Sequence, residues 1–233
     1  MIQSFFNWSG GKDSSYTLYK VLQEGIFEVK ALLTNISEEY ERISMHGVRK
    51  ELLIAQAQQL NIPLHTLCLP KGIDMEAYGK LVNDKISDLK ELDIDTAIFG
   101  DIFLEDLRKY REDELEKVGI KAAFPIWEKD TRELVEEFIE LGFKAYVVCC
   151  NARLMGKDFV GCLIDEDFLS NLPKGVDPCG ENGEFHSYVF GGPIFQEDIQ
   201  VKVGEKILRD YKKEDEKTAN WDSKYWYCDL LPV

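Results

Sequence analysis

Short apolar runs alternate with amphipathic segments along the first half of the chain. The apolar runs predict strands at Ile2–Asn7, Val29–Asn35, Pro63–Leu69, Thr96–Ile102 and Lys121–Ile126. The intervening segments have helical spacing, at Ser14–Glu24, Val48–Leu60, about Met75–Leu92 and Leu104–Val118. Because strands that alternate with helices form parallel sheets covered on both faces, the pattern predicts an α/β domain with a doubly wound parallel sheet.

The alternation stops after Trp127, which suggests a second unit. We predict an amphipathic helix at Thr131–Leu141 and then strands at Lys144–Asn151, around Gln200–Leu208 and around Tyr225–Leu231. The chain is therefore divided into a nucleotide-binding domain, residues 1–127, and a smaller α+β substrate-binding domain, residues 128–233.

A glycine pair lies between the first predicted strand and the first predicted helix. Gly10 and Gly11 allow backbone N–H groups to approach an anion, and the helix that begins near Asp13 points its positive dipole end at the same place. Lys12 adds a full positive charge. Further hydroxyl donors come from Ser9, Ser14 and Ser15. The segment predicts a phosphate site, although the G-x-x-x-x-G-K-[ST] pattern of ordinary NTPase loops is absent.

Ligands of doubly wound sheets bind at the carboxyl ends of the strands, where the strand order reverses. The first and fourth predicted strands should flank that crevice. Gly100 would then allow close approach of a nucleotide, and Asp101 could bind Mg²⁺ or a ribose hydroxyl. Asp13 is a second predicted Mg²⁺ ligand. Arg111 is a candidate nucleotide contact on a helix whose charges are equally explained as surface ion pairs. We place the adenine beside Ala31–Asn35.

Charge and cysteine usage limit the partners and the compartment. Twenty-eight Lys and Arg residues stand against 43 Asp and Glu residues, a net charge of −15, which disfavours nucleic acid as a partner. The six cysteines form no C-x-x-C pair, so we expect reduced thiols rather than a zinc site or a disulfide framework. No secretory signal or membrane span is recognisable, and we expect a cytoplasmic enzyme. The Lys212–Lys217 cluster is interpreted as a solvated turn, and His46 and His65 as structural histidines.

The segment Ser9–Ser14 resembles the PP-loop of the N-type ATP pyrophosphatases, which convert ATP to AMP and pyrophosphate. Further motifs follow in order, at Gly100–Ile102, Leu107–Glu112, Phe124–Trp127, Cys179–Ser187 and Gly191–Phe195. Together they resemble the diphthine–ammonia ligase family across nearly the whole chain. Asn182 and His186 match a bacterial-type branch of that family. The resemblance implies a HUP-like (adenine nucleotide alpha hydrolase-like) fold.

The resemblance also implies a reaction. An ATP-dependent amide ligase would use Mg²⁺ and activate a small or protein-borne carboxylate as an acyl-adenylate, which ammonia then attacks. Carried over by position, the catalytic residues are Lys12, Asp13, Glu181, Glu184 and His186. No membrane partner is implied, and a homodimer is compatible with the sequence.

Two other functions stay open at this stage. One is a PP-loop thiolase that acts on tRNA, which the charge of −15 and the missing C-x-x-C pair disfavour. The other is a sensor that binds ATP or AMP without turnover, which would not require the acidic Glu181–His186 segment.

Overall fold

The computed structural model describes residues 1–211 and 224–233, without the side chain of Met75. The predicted turn at Lys212–Lys217 lies outside the described residues. The strands are β1 (Ile2–Asn7), β2 (Phe27–Ser37), β3 (Arg42–Ile43), β4 (Leu64–Leu69), β5 (Thr96–Ile98), β6 (Lys121–Ala123), β7 (Lys144–Asn151), β8 (Phe185–Gly191), β9 (Val201–Asp210) and β10 (Lys224–Pro232). The α-helices are α1 (Lys12–Glu24), α2 (Lys50–Leu60), α3 (Met75–Lys90), α4 (Glu105–Lys117), α5 (Thr131–Glu140) and α6 (Glu166–Ser170).

The first sheet has five parallel strands in the order β4-β2-β1-β5-β6. The chain moves outward from β1 to β4, then crosses to β5 on the other side of β1, so the strand order reverses between β1 and β5. This arrangement confirms the predicted doubly wound sheet. The short β3 pairs antiparallel with the end of β2, beyond the last residue of β1.

Successive side chains of the strands pack on opposite faces of this sheet. Phe6 belongs to the larger core, which α1 and α2 cover, whereas Phe5 belongs to a smaller core beneath α3 and α4. The larger core continues without interruption into the second sheet, where it includes Val147 and Tyr188. The two sheets therefore share one hydrophobic core, which fixes the second unit against the α1 side of the first.

The second sheet is antiparallel, with the order β8-β7-β10-β9. The helix α5 leads into it and begins at Asp130, whose carboxylate accepts hydrogen bonds from the N–H groups of Arg132 and Glu133. The proposed division at residue 127 falls between β6 and α5. None of the helices within residues 1–211 combines the length and the apolar character that crossing a membrane requires.

Several element boundaries differ from the predictions. The strand predicted to run to Ile102 ends at Ile98, because Gly100 turns against the backbone of Asp13 and Ser14 at the start of α1. The strand predicted to run to Ile126 ends before Pro125, which has no N–H group for a ladder. The strands β3 and β8 were not predicted, and both border the candidate site.

Candidate active site

The glycine pair forms a tight loop between β1 and α1. Gly10 has a φ of 75°, and a Cβ atom there would lie 2.5 Å from Oε1 of Gln56, so glycine is required at this position. The Ser9 hydroxyl donates to the Ser14 hydroxyl at 3.0 Å, which in turn donates to the Gly11 carbonyl at 2.9 Å. These bonds hold the loop in one conformation before any ligand binds.

Gln56 of α2, a residue that sequence reasoning did not identify, connects this loop to the second sheet. Its buried side-chain amide donates to the carbonyls of Gly10 at 2.9 Å and Val189 at 2.6 Å, and its carbonyl accepts from the Trp8 indole at 3.0 Å. The N–H group of Val189 also donates to the Gly10 carbonyl, at 2.9 Å.

A second connection to β8 lies at the first residue of α1. The backbone N–H of Lys12 donates to the buried Ser187 hydroxyl at 3.0 Å. A loop that the sequence places entirely in the first domain is therefore held in part by a strand of the second.

The Lys12 side chain is 1% exposed and is ion-paired with Asp13. Burial lowers the pKa of Lys12, but neighbouring groups, chiefly the Asp13 carboxylate, raise that pKa by more, so the ammonium stays charged. Burial also raises the pKa of Cys179, which keeps this thiol neutral. The result is a charged ammonium group that its ion pair with Asp13 holds beside the loop.

Asp101 and Arg111 form an ion pair on the β5 side, with 2.7 Å between the Asp101 Oδ2 and Arg111 Nε atoms. The guanidinium carbon lies 4.4 Å from the centre of the Phe99 ring. Burial raises the pKa of Asp101, Arg111 lowers it, and the charge on Asp13 raises it further. Asp13 and Asp101 are therefore close enough to repel each other.

That repulsion allows a test of the predicted Mg²⁺ site. Mg²⁺ binds proteins through one or two carboxylates and completes its shell with phosphate oxygens and water. Asp13 and Asp101 both line the same cavity, and a divalent cation between them would relieve their repulsion. Within the described residues, no three His, Cys, Asp or Glu side chains converge as a ligand group, so phosphate oxygens would have to complete the shell. Asp13 and Asp101 therefore fit Mg²⁺ if phosphate oxygens complete the shell of the ion.

Glu181 faces the same cavity from the loop before β8. Its carboxylate accepts a hydrogen bond from the N–H group of Ile102 at 2.8 Å. Burial raises the pKa of Glu181, the Ile102 hydrogen bond lowers it and the Asp13 and Asp101 charges raise it, and together they give a pKa of about 7. Such a carboxyl group can exchange a proton near neutral pH, as a general base requires.

Glu184 has a different environment from the one predicted for a catalytic residue. Its buried carboxylate accepts hydrogen bonds from the Asp177 N–H at 3.1 Å and the Asn182 N–H at 2.9 Å, and it does not line the cavity. These bonds hold the turn that presents Glu181. These contacts favour a structural function for Glu184, and its catalytic function stays a prediction.

Two histidines stack at the back of the cavity. The ring centres of His46 and His186 are 4.6 Å apart, and the His46 Nδ1 atom lies 3.1 Å from the Ser187 carbonyl oxygen. Burial, followed by the neighbouring His46 and the Lys12 charge, lowers the pKa of His186 to about 3, and burial lowers that of His46. Both rings are neutral at pH 7. His46 was interpreted as a structural histidine, and the unpredicted β3 places its side chain in the lining of the cavity.

Most of the predicted site residues line one cavity of about 380 Å³, which lies at the carboxyl ends of β1 and β5. The predicted residues that line it are Ser9, Gly11, Lys12, Asp13, Ser14, Gly100, Asp101, Arg111, Glu181 and His186. Ser15 does not line it. The Ser15 hydroxyl is buried without a hydrogen-bond partner among the described residues, so its prediction as a ligand contact receives no support from the geometry.

Comparisons with known proteins identify the family of this chain. The family model for the diphthamide synthase N-terminal domain matches residues 2–122, and the model for the diphthamide synthase C-terminal domain matches residues 130–230. The diphthine–ammonia ligase of Mus musculus is 25% identical over 227 residues, covering 86% of this chain and 83% of the mouse protein. That of Homo sapiens is 25% identical over 224 residues, with the same two coverages.

A similarity to a solved structure is much weaker. The U34-tRNA thiolase NcsA from Methanococcus maripaludis, solved with its [4Fe-4S] cluster, is 17% identical with a TM-score of 0.35, over 60% of this chain and 57% of the thiolase. This similarity is too weak to favour a thiolase activity. The two family models together match most of the chain. The chain belongs to the diphthamide synthase family of ATP-dependent, amide-forming ligases.

Proposed function

We propose that the chain activates a carboxylate as an acyl-adenylate and then transfers the acyl group to ammonia. In the first step the carboxylate oxygen attacks the α-phosphorus of ATP, and the bond to the β-phosphate oxygen breaks to release pyrophosphate. In the second step ammonia attacks the acyl carbon, AMP leaves, and the nitrogen loses one proton. The observation that carries this proposal is the single cavity in which the glycine loop, Lys12, Asp13, Asp101 and Glu181 meet.

The loop residues would bind the β- and γ-phosphates. The N–H groups at the start of α1 and the Lys12 ammonium provide positive potential where pyrophosphate charge develops. Because these groups are held by Ser187 and Gln56 before ATP arrives, little reorganisation is needed during the reaction. Mg²⁺ on Asp13 and Asp101 would neutralise phosphate charge when bound.

The second step needs a proton acceptor and uncharged ammonia. Glu181, with a pKa raised to about 7, would take the proton from the attacking nitrogen. The neutral His186 ring is too weak a base for that function, with a pKa of about 3. His46 and His186 would instead accept hydrogen bonds from the ammonia. The Lys12 charge that lowers the His186 pKa also disfavours ammonium there.

The curated relatives are named for diphthine as their acceptor. For this chain we propose a carboxylate acceptor without restricting it to diphthine, because Asn182 and His186 match the bacterial-type branch. The proposed enzyme acts in the cytoplasm.

Chromatography of the nucleotide products tests the proposal. The protein is incubated with ATP, Mg²⁺, ammonium and a panel of carboxylates, and AMP with an amide product is expected in equal amounts. ADP with orthophosphate as the products would refute the loop assignment. A sensor would release no pyrophosphate at all.

A matched pair of variants on α1 tests the function of Lys12. Lys12→Met keeps the volume of the buried side chain and removes its charge, and it should lower AMP formation by at least about 100-fold. Lys20→Met removes a lysine of the same helix that pairs with Glu137 instead, and it should leave AMP formation close to wild type.

A further inference from the structure

A second cavity, which we call the interdomain groove, adjoins the active site. It has a volume of about 330 Å³ and lies between the β2–β3 hairpin and the β9–β10 strands. Ile43, Ser44 and Met45 line both this groove and the active-site cavity. The groove is therefore separated from the nucleotide site only by one turn of the chain.

One wall of the groove is a face of the second sheet. Glu205, Ile207 and Arg209 alternate along β9 and so share a face, and Tyr227 and Asp229 of β10 also line the groove. The Arg209 guanidinium carbon lies 5.6 Å from the centre of the Tyr40 ring on the hairpin, which brings the two walls into contact.

Asp229 connects the walls more firmly. Its carboxylate accepts from the Arg49 side chain at 3.0 Å and 2.6 Å and from Arg42 at 2.9 Å. Two guanidinium groups thus share one carboxylate. Among the residues that line the groove, Arg42 and Arg209 balance Glu205 and Asp229, so the groove is less acidic than the chain as a whole, whose net charge is −15.

Apolar side chains stand unburied at the mouth of the groove. Tyr40 is 51% exposed, Tyr211 is 53% exposed and Met45 is 69% exposed. Met45 also has a φ of 66°, a conformation that is rare for residues other than glycine and is found preferentially at functional sites. Aromatic and methionine side chains in such positions bind flat, apolar groups.

We propose that the interdomain groove binds the non-reacting body of the acceptor, and that the acceptor is a carboxylic acid with a ring-bearing apolar body. This inference rests on the proposed function, because it assumes that the carboxylate reacts in the adjoining cavity. The groove volume lies in the range of sites for drug-sized ligands and exceeds what a short-chain acid would fill.

Binding to the nucleotide-loaded protein tests the groove without requiring turnover. The protein is saturated with Mg²⁺ and α,β-methylene-ATP, which cannot be cleaved between its α- and β-phosphates. The dissociation constants of indole-3-propionate, indole-3-propionamide and acetate are then measured by calorimetry. Indole-3-propionate should bind at least about tenfold more tightly than either of the others, since it alone has both the ring and the charge.

Three variants locate the binding. Tyr211→Ala and Tyr40→Ala, two residues that line the groove and not the active-site cavity, should each weaken indole-3-propionate binding by about tenfold and leave nucleotide binding unchanged. Leu22→Ala, which truncates a side chain that is 48% exposed on α1, should change neither. Equal dissociation constants for indole-3-propionate and acetate, or no effect of both groove variants, would overturn the proposal.

The carboxylate panel of the previous section separates the two proposals. If an acid supports AMP formation and its affinity is unchanged in Tyr211→Ala and Tyr40→Ala, the ligase function stands and the groove proposal is wrong. Binding at the groove without AMP formation from any carboxylate would remove the ligase function instead.

Discussion

The bond between the Lys12 N–H and the Ser187 hydroxyl makes a quantitative prediction about the Ser187→Ala variant. The bond is 3.0 Å long and the serine is buried, so the substitution leaves a buried N–H group without its partner. An unsatisfied buried donor costs about 1–3 kcal/mol. If the loop moves in the variant to avoid that cost, pyrophosphate binding must restore its position, and the affinity for pyrophosphate should fall by about 5- to 150-fold.

The assay measures pyrophosphate binding by calorimetry in the presence of Mg²⁺, together with urea unfolding of the same samples. Ser170→Ala, at an exposed serine of α6, is the control and should change neither quantity. A lower unfolding midpoint with unchanged pyrophosphate affinity would show that Ser187 stabilises the fold without positioning the loop. That result would refute the reasoning.

Three further predictions concern acidic residues. Glu181→Gln should raise the free energy of unfolding by on the order of 1–3 kcal/mol at pH 8 and by much less at pH 4.5. The reason is that the raised pKa of Glu181 makes the folded protein lose stability as the pH rises from about 4.5 to about 7. Equal effects at both pH values would contradict this. Glu184→Gln should lower the thermal midpoint and reduce ATP binding and AMP formation together, whereas a loss confined to AMP formation would restore a catalytic function. Asp229→Ala should lower the free energy of unfolding in urea by about 2 kcal/mol. The control is Asp210→Ala, which removes a carboxylate 3.9 Å from the Lys224 Nζ atom and should lower that free energy by less than about 1 kcal/mol. Equal losses would contradict the importance of the carboxylate that Arg42 and Arg49 share.

The glycine loop could be predicted because its signals are local. A strand, two glycines and a helix lie within one short segment, and each carries its own conformational preference. The convergence of Asp101 with this loop followed from one general rule about doubly wound sheets. The predicted strand through Ile102 was too long, because its end depends on the contact between Gly100 and the start of α1.

The remaining parts of the site depend on contacts between distant segments. Gln56 occupies one position in an otherwise ordinary helix, and nothing near it in sequence indicates a bond to Gly10, 46 residues away. His46 could have been identified only from the β2–β3 hairpin, whose second strand has two residues. Glu184 shares a motif with Glu181, yet only the folded turn shows that its carboxylate points to backbone N–H groups.

The strand β8 explains why the site requires both halves of the chain. The Ser187 hydroxyl accepts a hydrogen bond from the first N–H group of α1, and the Val189 N–H group donates to the Gly10 carbonyl. Two alternate residues of β8 therefore contact the glycine loop. His186, one residue earlier, lines the cavity beside His46. A shift of β8 would therefore move both the glycine loop and the His46–His186 pair. Since the two sheets also share one hydrophobic core, such a shift would disturb packing throughout the molecule. The first domain alone contains the PP-loop sequence and the bonds from Ser9, Ser14 and Gln56, but it lacks the contacts from β8 that also hold the loop.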